Sequence, residues 1–505
     1  MAKQSEGRYN LLFLMTDQQR FDALSRAGNS ILDTPNLDRL ANQGAYFENA
    51  YTCCPVCVPA RMAMLTGCSI ETTGVRMNAE AKDENVTADS PIQALRTYDE
   101  VLMRNGYVGE YYGKWHSPAI RAYAYENRPI GIAGTRSHPE LGLGLAGIYR
   151  AYLDEHSPER PAREGELVEV GTHRPYRPDP IDVRYGVPES EWVNIAQSGE
   201  YGCLDVPREH TRNAFDADRT MDALRRRKDE TFTIHCSFGP PHPPMVTTEY
   251  YHSQFDPQKM LLPENYGDPM ENSPYRAPWL GMEHYRNPDT VGYMIANYYA
   301  MVKEIDDQVG RILNTLDDLG LTDRTLVIFT SDHGEMLGDH GMHSKFIFYE
   351  ASAHIPLMMR LPGIIPAGSV VSAPVSQHHF FATILDYLEV QDPGSSNGQS
   401  LRGLVDGNGW DGPDFAVSEW ARPNVPNFMV RTNRWKFMFA RDAESQAVDA
   451  LYDLENDPLE MNNLIGNNPD RSEHRKQAEE MKERLVSWLA SVHSPHTEGV
   501  KARPV

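Results

Sequence analysis

The stretch YNLLFLMT, Tyr9–Thr16, is a continuous apolar run that stops abruptly at Asp17. Such a run is typical of a strand buried on both faces of a parallel sheet. Thr231–Cys236 (TFTIHC) and Thr325–Thr330 (TLVIFT) have the same pattern. Between these two, apolar residues recur at helical spacing over 292–319, which predicts an amphipathic helix. The order strand, helix, strand predicts an α/β fold.

The rest of the chain divides into segments of different composition. Residues 123–230 are rich in Pro, Gly, Arg and Glu with little periodicity, which predicts a long insertion over one edge of the sheet. After residue 407 the pattern changes to short strand-like pieces (FMVRT, RWKFMFA, LYDL) and a charged helix over about 472–492. We therefore expect a main domain over 1–407 and a small C-terminal domain over 408–505.

The composition limits the partners and the compartment of the protein. The 505-residue chain has a net charge of −23, from 71 acidic and 48 basic residues. This charge repels nucleic acids and anionic membranes, so we expect neither as a partner. No window reaches the roughly 18 to 20 consecutive apolar residues that span a bilayer, and Met1–Arg8 lacks the apolar stretch of a secretory signal. We expect a cytoplasmic protein as written, or a periplasmic or secreted one if a signal peptide was removed.

Polar residues follow two of the predicted strands. Asp17 follows the first, and Asp332 with His333 follows the last. Because ligands bind beyond the carboxyl ends of parallel strands, these side chains are expected to converge. With an amide oxygen from Gln18 they would suit Ca²⁺, with Mg²⁺ or Mn²⁺ as alternatives, and the histidine also tolerates Zn²⁺. The alternative is that Asp17 caps a helix and Asp332 belongs to a turn.

The segment TCCPVCVPARMAMLTG, Thr52–Gly67, contains three of the six cysteines. Cys54 and Cys57 have the CxxC spacing of a redox pair, but the surrounding pattern is not that of a thioredoxin-like fold. A zinc site would need partner cysteines or histidines at set spacing, and the other cysteines are scattered. A third interpretation places Cys57 just before a helix start, with Arg61 one turn later to bind an anion. This interpretation predicts a site for a tetrahedral oxyanion.

The residues Cys57, Pro59 and Arg61 match a known signature, CxPxR, and LTG at 65–67 continues it. The sequence thus resembles the type I, formylglycine-dependent sulfatases of the alkaline phosphatase superfamily. Other segments resemble the same family in the same order: TPNLDRLANQGAYFENAY (34–51), TGVRMN (73–78), GYVGEYYGKWH (106–116), PPHPP (240–244), FTSDHGEMLGDHGMHSK (329–345), RWKFMF (434–439) and LYDLENDPLEMNNL (451–464).

The resemblance implies a fold and a modification. The fold would be a large mixed, mostly parallel sheet sandwiched by helices, with a small C-terminal α+β domain that contains an antiparallel sheet. Cys57 would be oxidised by a separate maturation enzyme to formylglycine, whose hydrate attacks sulfur. The metal would be held by Asp17, Asp332, Gln18 and His333.

The resemblance also implies roles for five further side chains. Arg61, Lys114 and Lys345 would supply positive charge around the sulfuryl group. His242 would donate to the ester or leaving oxygen, and His116 would accept the proton when the aldehyde is regenerated. The alternative is that the lysines are solvated and the histidines are structural.

Two departures from the usual family pattern concern the metal ligands. Many members have two adjacent aspartates where this chain has Asp17 and Gln18, and Asp followed by Asn where it has Asp332 and His333. Both departures resemble the branch that contains arylsulfatases and phosphonate monoester hydrolases.

The insertion contains a cluster of basic residues in an otherwise acidic protein. The cluster comprises Arg150, Arg160, Arg163, His173, Arg174 and Arg177. A sulfated sugar would be bound by arginines in this way, but they could equally pair with acidic residues of the same loop. We expect a hydrolase of sulfate monoesters that acts on a sulfated carbohydrate. The alternatives are a phosphonate monoester or phosphodiester hydrolase, and a non-catalytic anion-binding protein if Cys57 is not converted. A homo-oligomer is one possible assembly.

Overall fold

The computed structural model describes residues 8–81, 89–118, 149, 152–153, 155–156, 201–204, 206–243, 245–275, 287–442 and 444–505. The strands are β1 (Asn10–Asp17), β2 (Ala45–Phe47), β3 (Ala50–Tyr51), β4 (Val108–Gly113), β5 (Tyr201–Leu204), β6 (Phe232–Pro241), β7 (Met245–Thr248), β8 (Thr325–Ser331), β9 (His354–Ile355), β10 (Leu357–Arg360), β11 (Ser369–Val371), β12 (Val375–Ser376), β13 (Ala416–Glu419), β14 (Phe428–Arg431), β15 (Trp435–Phe439) and β16 (Ala450–Asp453). The α-helices are α1 (Pro35–Asn42), α2 (Cys57–Thr66), α3 (Ile70–Thr73), α4 (Tyr98–Arg104), α5 (Arg212–Arg227), α6 (Glu249–His252), α7 (Pro288–Asp318), α8 (Glu350–Ala353), α9 (Phe380–Tyr387), α10 (Arg402–Val405), α11 (Arg471–Ser491) and α12 (Thr497–Ala502).

The main sheet has seven strands in the order β11-β2-β10-β8-β1-β6-β4. β1 pairs in parallel with both β6 and β8, and every residue of β1 is buried. β10 runs antiparallel to both of its neighbours, while the other pairings in this sheet are parallel. The predicted α/β fold with a mixed, mostly parallel sheet is therefore confirmed.

Helices cover both faces of the sheet because β1 has two apolar faces. Side chains alternate along a strand, so Leu11 and Phe13 pack against α2 and α9 on one face. Leu12 and Leu14 pack against α1, α5 and α7 on the other face. The uninterrupted apolar run of the sequence thus corresponds to a strand with helices on both sides.

The helix α7 begins earlier than the predicted 292–319. Asn287 accepts a hydrogen bond from the Asp289 N–H at 2.9 Å, and Pro288 occupies the first turn. These residues form a helix start that apolar periodicity does not detect.

The last part of the predicted 123–230 insertion belongs to the core instead. Residues Arg212–Arg227 form α5, whose Ala217, Met221 and Leu224 pack on the main sheet. The helix was missed because its many charged residues mask an apolar stripe at spacings of three and four. The basic cluster over 150–177 lies outside the described residues.

The C-terminal domain contains a four-stranded antiparallel sheet in the order β13-β14-β15-β16. α11 packs on it through Met481, Leu485 and Leu489. The predicted small α+β domain with an antiparallel sheet is confirmed. Across the described ranges, no helix combines the length and apolarity that crossing a membrane requires.

Candidate active site

Two aspartates meet at the carboxyl edge of the main sheet. Asp17 ends β1 and Asp332 follows β8, and the two strands are parallel neighbours with Thr16 opposite Ser331. Cys57 is the first residue of α2, which lies over this edge. One ligand atom from each of Asp17, Cys57, Asp332 and His333 lies within 4.8 Å of the others, and all four residues are buried. The predicted convergence of these residues is present in the fold.

Gln18 contacts the same cluster through its backbone N–H. Its backbone is in the left-handed region, with φ 75°, and its N–H donates to Asp332 Oδ1 at 3.0 Å. Its Nε2 donates to Glu335, and its Oε1 accepts from Lys345. The Gln18 amide therefore bridges Glu335 and Lys345, while its backbone N–H binds Asp332.

The backbone fixes one ring proton of His333. Its Nδ1 lies 2.9 Å from the Gly334 carbonyl oxygen, which can only accept, so Nδ1 carries a proton. Nε2 is left facing Cys57 Sγ at 3.1 Å and Asp332 Oδ1 at 3.7 Å. Burial lowers the pKa of His333, but Asp332 and Cys57 outweigh it and raise this pKa to about 9.

Arg61 lies beneath the two aspartates. Its side chain is 1% exposed. Its Nε donates to Asp332 Oδ2 and its Nη2 donates to Asp17 Oδ2, each at 2.9 Å. Nη1 donates to the Lys114 carbonyl at 2.9 Å and to Ser237 Oγ at 3.0 Å. In the structure the planar fork of Arg61 holds two carboxylates in place, and its expected role as positive charge around the sulfuryl group stays a prediction. The reason is burial, because a guanidinium removed from water needs carboxylate partners.

Lys114 reaches the cluster because β4 ends beside β6. Its Nζ lies 2.6 Å from Asp17 Oδ2, and its N–H donates to the Ser237 carbonyl at 2.7 Å. The preceding Gly113 has φ +85°, and a Cβ there would lie 2.0 Å from the Ser237 oxygen, so the turn requires glycine. Burial raises the pKa of Asp17, but Lys114, His242 and Arg61 hold it well below its usual range.

Cys57 is the buried centre of these contacts. Its Sγ lies 3.8 Å from Asp17 Oδ1. Burial and Asp17 raise the pKa of the Cys57 thiol, but Lys345, His333 and Lys114 outweigh them and lower it well below its usual range. Both predicted lysines, Lys114 and Lys345, therefore lie within electrostatic reach of Cys57.

Two histidines border the cluster. His242 has a side chain 33% exposed, and its Nε2 lies 4.0 Å from Asp17 Oδ1. Its Nδ1 lies 2.5 Å from the Pro243 carbonyl, so Nδ1 donates and Nε2 of the neutral ring accepts. The expected role of His242 as donor to the ester or leaving oxygen does not agree with this geometry. Burial, with Lys345 and Lys114, lowers the pKa of His242 to about 4. His116, at φ 41°, is buried against Cys57, and burial lowers its pKa as well.

Sequence reasoning missed two residues that hold the metal-ligand candidates. Glu335 is fully buried and accepts a hydrogen bond from the Gln18 amide. Its position three residues after Asp332 could have marked it as a candidate in the sequence. Thr52 donates through Oγ1 to the Asp332 carbonyl at 2.6 Å. No local pattern identifies Thr52, since it acts across 280 residues of sequence.

The donor set fits a divalent cation. The carboxylates of Asp17 and Asp332, Cys57 Sγ and one nitrogen of His333 converge on a buried point. His333, with its raised pKa, would lose a proton on binding the ion. Oxygen-rich sets of this kind suit Ca²⁺, Mg²⁺ or Mn²⁺. A bound cation would also offset the mutual repulsion of Asp17 and Asp332, which together with burial raises the pKa of Asp332 to about 7.

Known proteins are similar to this sequence over almost its whole length. An arylsulfatase of Clostridium perfringens is 28% identical, with 97% of this chain and 96% of that protein aligned. An N-acetylglucosamine-6-O-sulfatase of Bacteroides thetaiotaomicron is 25% identical, with 96% and 86% aligned.

Structural and family comparisons agree with this similarity. The phosphonate monoester hydrolase of Agrobacterium radiobacter superposes with a TM-score of 0.74 at 24% identity, over 96% of each chain. Residues 338–490 match the model described as N-sulphoglucosamine sulphohydrolase, C-terminal. Residues 9–390 match the sulfatase model, and the chain therefore belongs to the sulfatase family.

Proposed function

We propose that this sulfatase removes sulfate from a sulfated carbohydrate through a formylglycine at position 57 and a bound Ca²⁺, with Mg²⁺ or Mn²⁺ as alternatives. The observation that carries the proposal is the buried cluster in which Cys57, Asp17, Asp332 and His333 lie within 4.8 Å of one another. Two lysines adjoin this cluster. Together these residues combine a nucleophile position, a cation site and positive charge for an oxyanion.

The chain's own residues bind and orient the sulfate group. When present, the metal and the hydrated aldehyde would supply Lewis acidity and the nucleophile. Lys114 and Lys345 place ammonium groups beside position 57, where a sulfate ester brings its charge. Arg61 keeps Asp17 and Asp332 at fixed positions.

Two neutral histidines can move protons at this site. Nε2 of His242 accepts, because its Nδ1 is committed to the Pro243 carbonyl. His116 lies against Cys57 and stays neutral at pH 7, since burial lowers its pKa. We assign His116 the proton released when the aldehyde is regenerated. Neutral His242 has no proton on Nε2 to give, so the leaving oxygen takes its proton from water.

Maturation of Cys57 is tested by mass spectrometry of its tryptic peptide. Conversion replaces sulfur and two hydrogens by one oxygen, and it requires a separate maturation enzyme in the expression host. We expect sulfate release to follow the converted fraction, Cys57→Ala to abolish release, and Cys53→Ala, a change at another buried cysteine, to preserve it. Full release by the Cys57→Ala variant would refute the proposed nucleophile. A Cys57 that stays unconverted in the native host would favour the non-catalytic anion-binding alternative.

The carbohydrate substrate is supported by the names of relatives. An aligned relative is named N-acetylglucosamine-6-O-sulfatase, and another is named ulvan-active sulfatase. The test is a panel of sulfated mono- and oligosaccharides beside a simple aryl sulfate, with released sulfate measured by ion chromatography. The proposal expects a higher kcat/KM on at least one sugar. A preference for the aryl sulfate over every sugar would refute the carbohydrate assignment.

A second candidate is hydrolysis of phosphonate monoesters or phosphodiesters. It is favoured by Gln18 and His333, which stand in place of the Asp and Asn that many sulfatases carry. His333 Nε2 lies 3.1 Å from Cys57 Sγ, and Gln18 N–H binds Asp332. Rates on an aryl sulfate, an aryl phosphonate monoester and a phosphodiester, measured on the same converted sample, separate the two candidates. A kcat/KM on either phosphorus ester above that on sulfate esters would establish the second candidate as the main activity.

A further inference from the structure

A buried ion network joins the C-terminal domain to the main domain behind the active site. Lys436 of β15 has a side chain that is 0% exposed, and its Nζ lies 2.8 Å from Glu350 Oε1 and 2.8 Å from Glu460 Oε1. Glu460 Oε2 accepts the Glu350 N–H at 2.6 Å. One ammonium therefore holds two carboxylates, and one of these binds the first residue of α8. Such a buried network fixes geometry strongly, because removing a member leaves an uncompensated charge.

The main domain binds the other oxygen of Glu350. Tyr51 OH donates to Glu350 Oε2 at 2.9 Å, and His354 Nδ1 lies 3.1 Å from the same oxygen. The Glu350 carboxylate thus lies between the two domains. The position of α8 depends on both sides of this contact.

The short helix α8 in turn supports the loop after β8. The Ser352 carbonyl accepts the Gly334 N–H at 2.8 Å, and the Ala351 carbonyl accepts the Glu335 N–H at 2.9 Å. A Cβ on Gly334 would lie 2.1 Å from the Ala351 oxygen, so the loop approaches α8 as closely as glycine permits. These contacts fix the loop immediately after His333.

A second path from α8 reaches Asp332 itself. The Ala353 carbonyl accepts the Thr52 N–H at 2.9 Å. Thr52 Oγ1 donates to the Asp332 carbonyl at 2.6 Å. Both metal-ligand candidates that follow β8 are therefore held by α8, one through Thr52 and the other through Gly334.

We propose that Lys436 and Glu460 are positioning residues of the sulfatase site. By holding α8 they fix Asp332 and His333, so the C-terminal domain contributes to cation binding without touching the cation. This inference rests on the proposed function for the identity of the site that is positioned. It assigns the buried network a role beyond joining two domains.

The test measures the site directly in metal-free protein. Calcium is titrated by calorimetry into the wild type, Lys436→Met, Glu460→Gln and a control, Lys482→Met. Lys482 is another largely buried lysine of the C-terminal domain, and it binds the Arg503 carbonyl rather than α8. We expect Lys436→Met to weaken calcium binding about tenfold, as loss of a supporting contact commonly does, and Glu460→Gln to weaken it less. Lys482→Met is expected to bind as the wild type does.

A second readout does not involve metal. Hydrogen exchange of the Gly334 and Glu335 amides reports their bonds to α8, and we expect it to accelerate in Lys436→Met and stay unchanged in Lys482→Met. Glu460→Gln keeps an acceptor for the Glu350 N–H and serves if Lys436→Met does not fold.

The outcomes separate this inference from the proposed function. If the wild type binds calcium and the Lys436 and Glu460 variants bind it equally well with unchanged exchange, the network serves stability alone and the inference is overturned. If the wild type binds none of Ca²⁺, Mg²⁺ or Mn²⁺, the metal of the proposed function is overturned and the inference with it. Faster exchange with weaker binding supports both.

Discussion

Replacing Arg61 by methionine removes a guanidinium that contacts both Asp17 and Asp332. The side chains of all three residues are at most 1% exposed, and the two ion pairs are each 2.9 Å long. Methionine fills similar space without charge or donors. The variant therefore leaves two buried carboxylates that have lost a shared partner.

The expected loss of stability follows from this burial. Removing one partner of a buried ion pair costs about 3 to 5 kcal/mol. Lys114 still contacts Asp17 at 2.6 Å, so Asp332 bears most of the loss and we expect the lower end, about 3 kcal/mol. Arg61→Lys keeps the charge without the planar fork, and its loss should lie between those of the wild type and the methionine variant.

Urea unfolding of the metal-free proteins measures these differences as changes in the free energy of unfolding. The control is Arg311→Met, which breaks a 2.6 Å pair with Asp218 whose side chains are 43% and 33% exposed. Exposed pairs of this kind contribute about 0 to 1 kcal/mol. A loss for Arg61→Met no larger than that of the control would refute the claim that this arginine compensates the carboxylates.

Three further predictions follow from individual contacts. Gly113→Ala should destabilise the protein and lower kcat for sulfate release, because its Cβ would lie 2.0 Å from the Ser237 oxygen, beside Lys114. The control is Gly239→Ala, whose Cβ would have nothing within 4 Å. This control should change neither the thermal midpoint nor kcat. Burial raises the pKa of Glu419 to about 8. Because this pKa exceeds that of the unfolded chain, the stability contributed by protonated Glu419 is fully present below about pH 4.5 and is lost as pH rises toward about 8. The free energy of unfolding should therefore fall between about pH 5 and pH 9, and Glu419→Gln should make that fall less steep. An unchanged slope in the variant would contradict this prediction. Chelation of divalent cations should lower the thermal midpoint and stop sulfate release, with both restored by added calcium; an unaffected midpoint would count against a resident metal.

Much of the fold could be predicted from local patterns. The apolar run before Asp17 identified a doubly covered strand, and the periodicity over 292–319 identified α7 to within four residues of its observed start at Pro288. The antiparallel direction of β10 was not predictable, because short buried strands of either direction have the same composition. Helix α5 was hidden by its charged surface, since a stripe of apolar residues is hard to detect in a segment rich in arginine.

The site residues also divide into those that local sequence patterns predicted and those that only the fold explains. Asp17, Cys57 and His333 were identified as candidates from motifs and from their positions at predicted strand and helix ends, and the structure brings them together. The positions of Arg61 below the carboxylates and of Thr52 behind Asp332 were not predictable, because both depend on contacts across more than 200 residues of sequence.

The amino-acid sequence alone determined which segments are apolar, where several strands and one long helix lie, and which side chains can bind an anion or a cation. The tertiary structure decided where those side chains point and what they contact. The physical reason is that hydrophobic periodicity and turn chemistry act over a few residues, whereas the neighbours of Arg61 and Lys436 depend on strand order, register and the packing of one domain on another. A guanidinium or ammonium takes its role from the carboxylates that burial places beside it, and those neighbours exist only once the chain is folded.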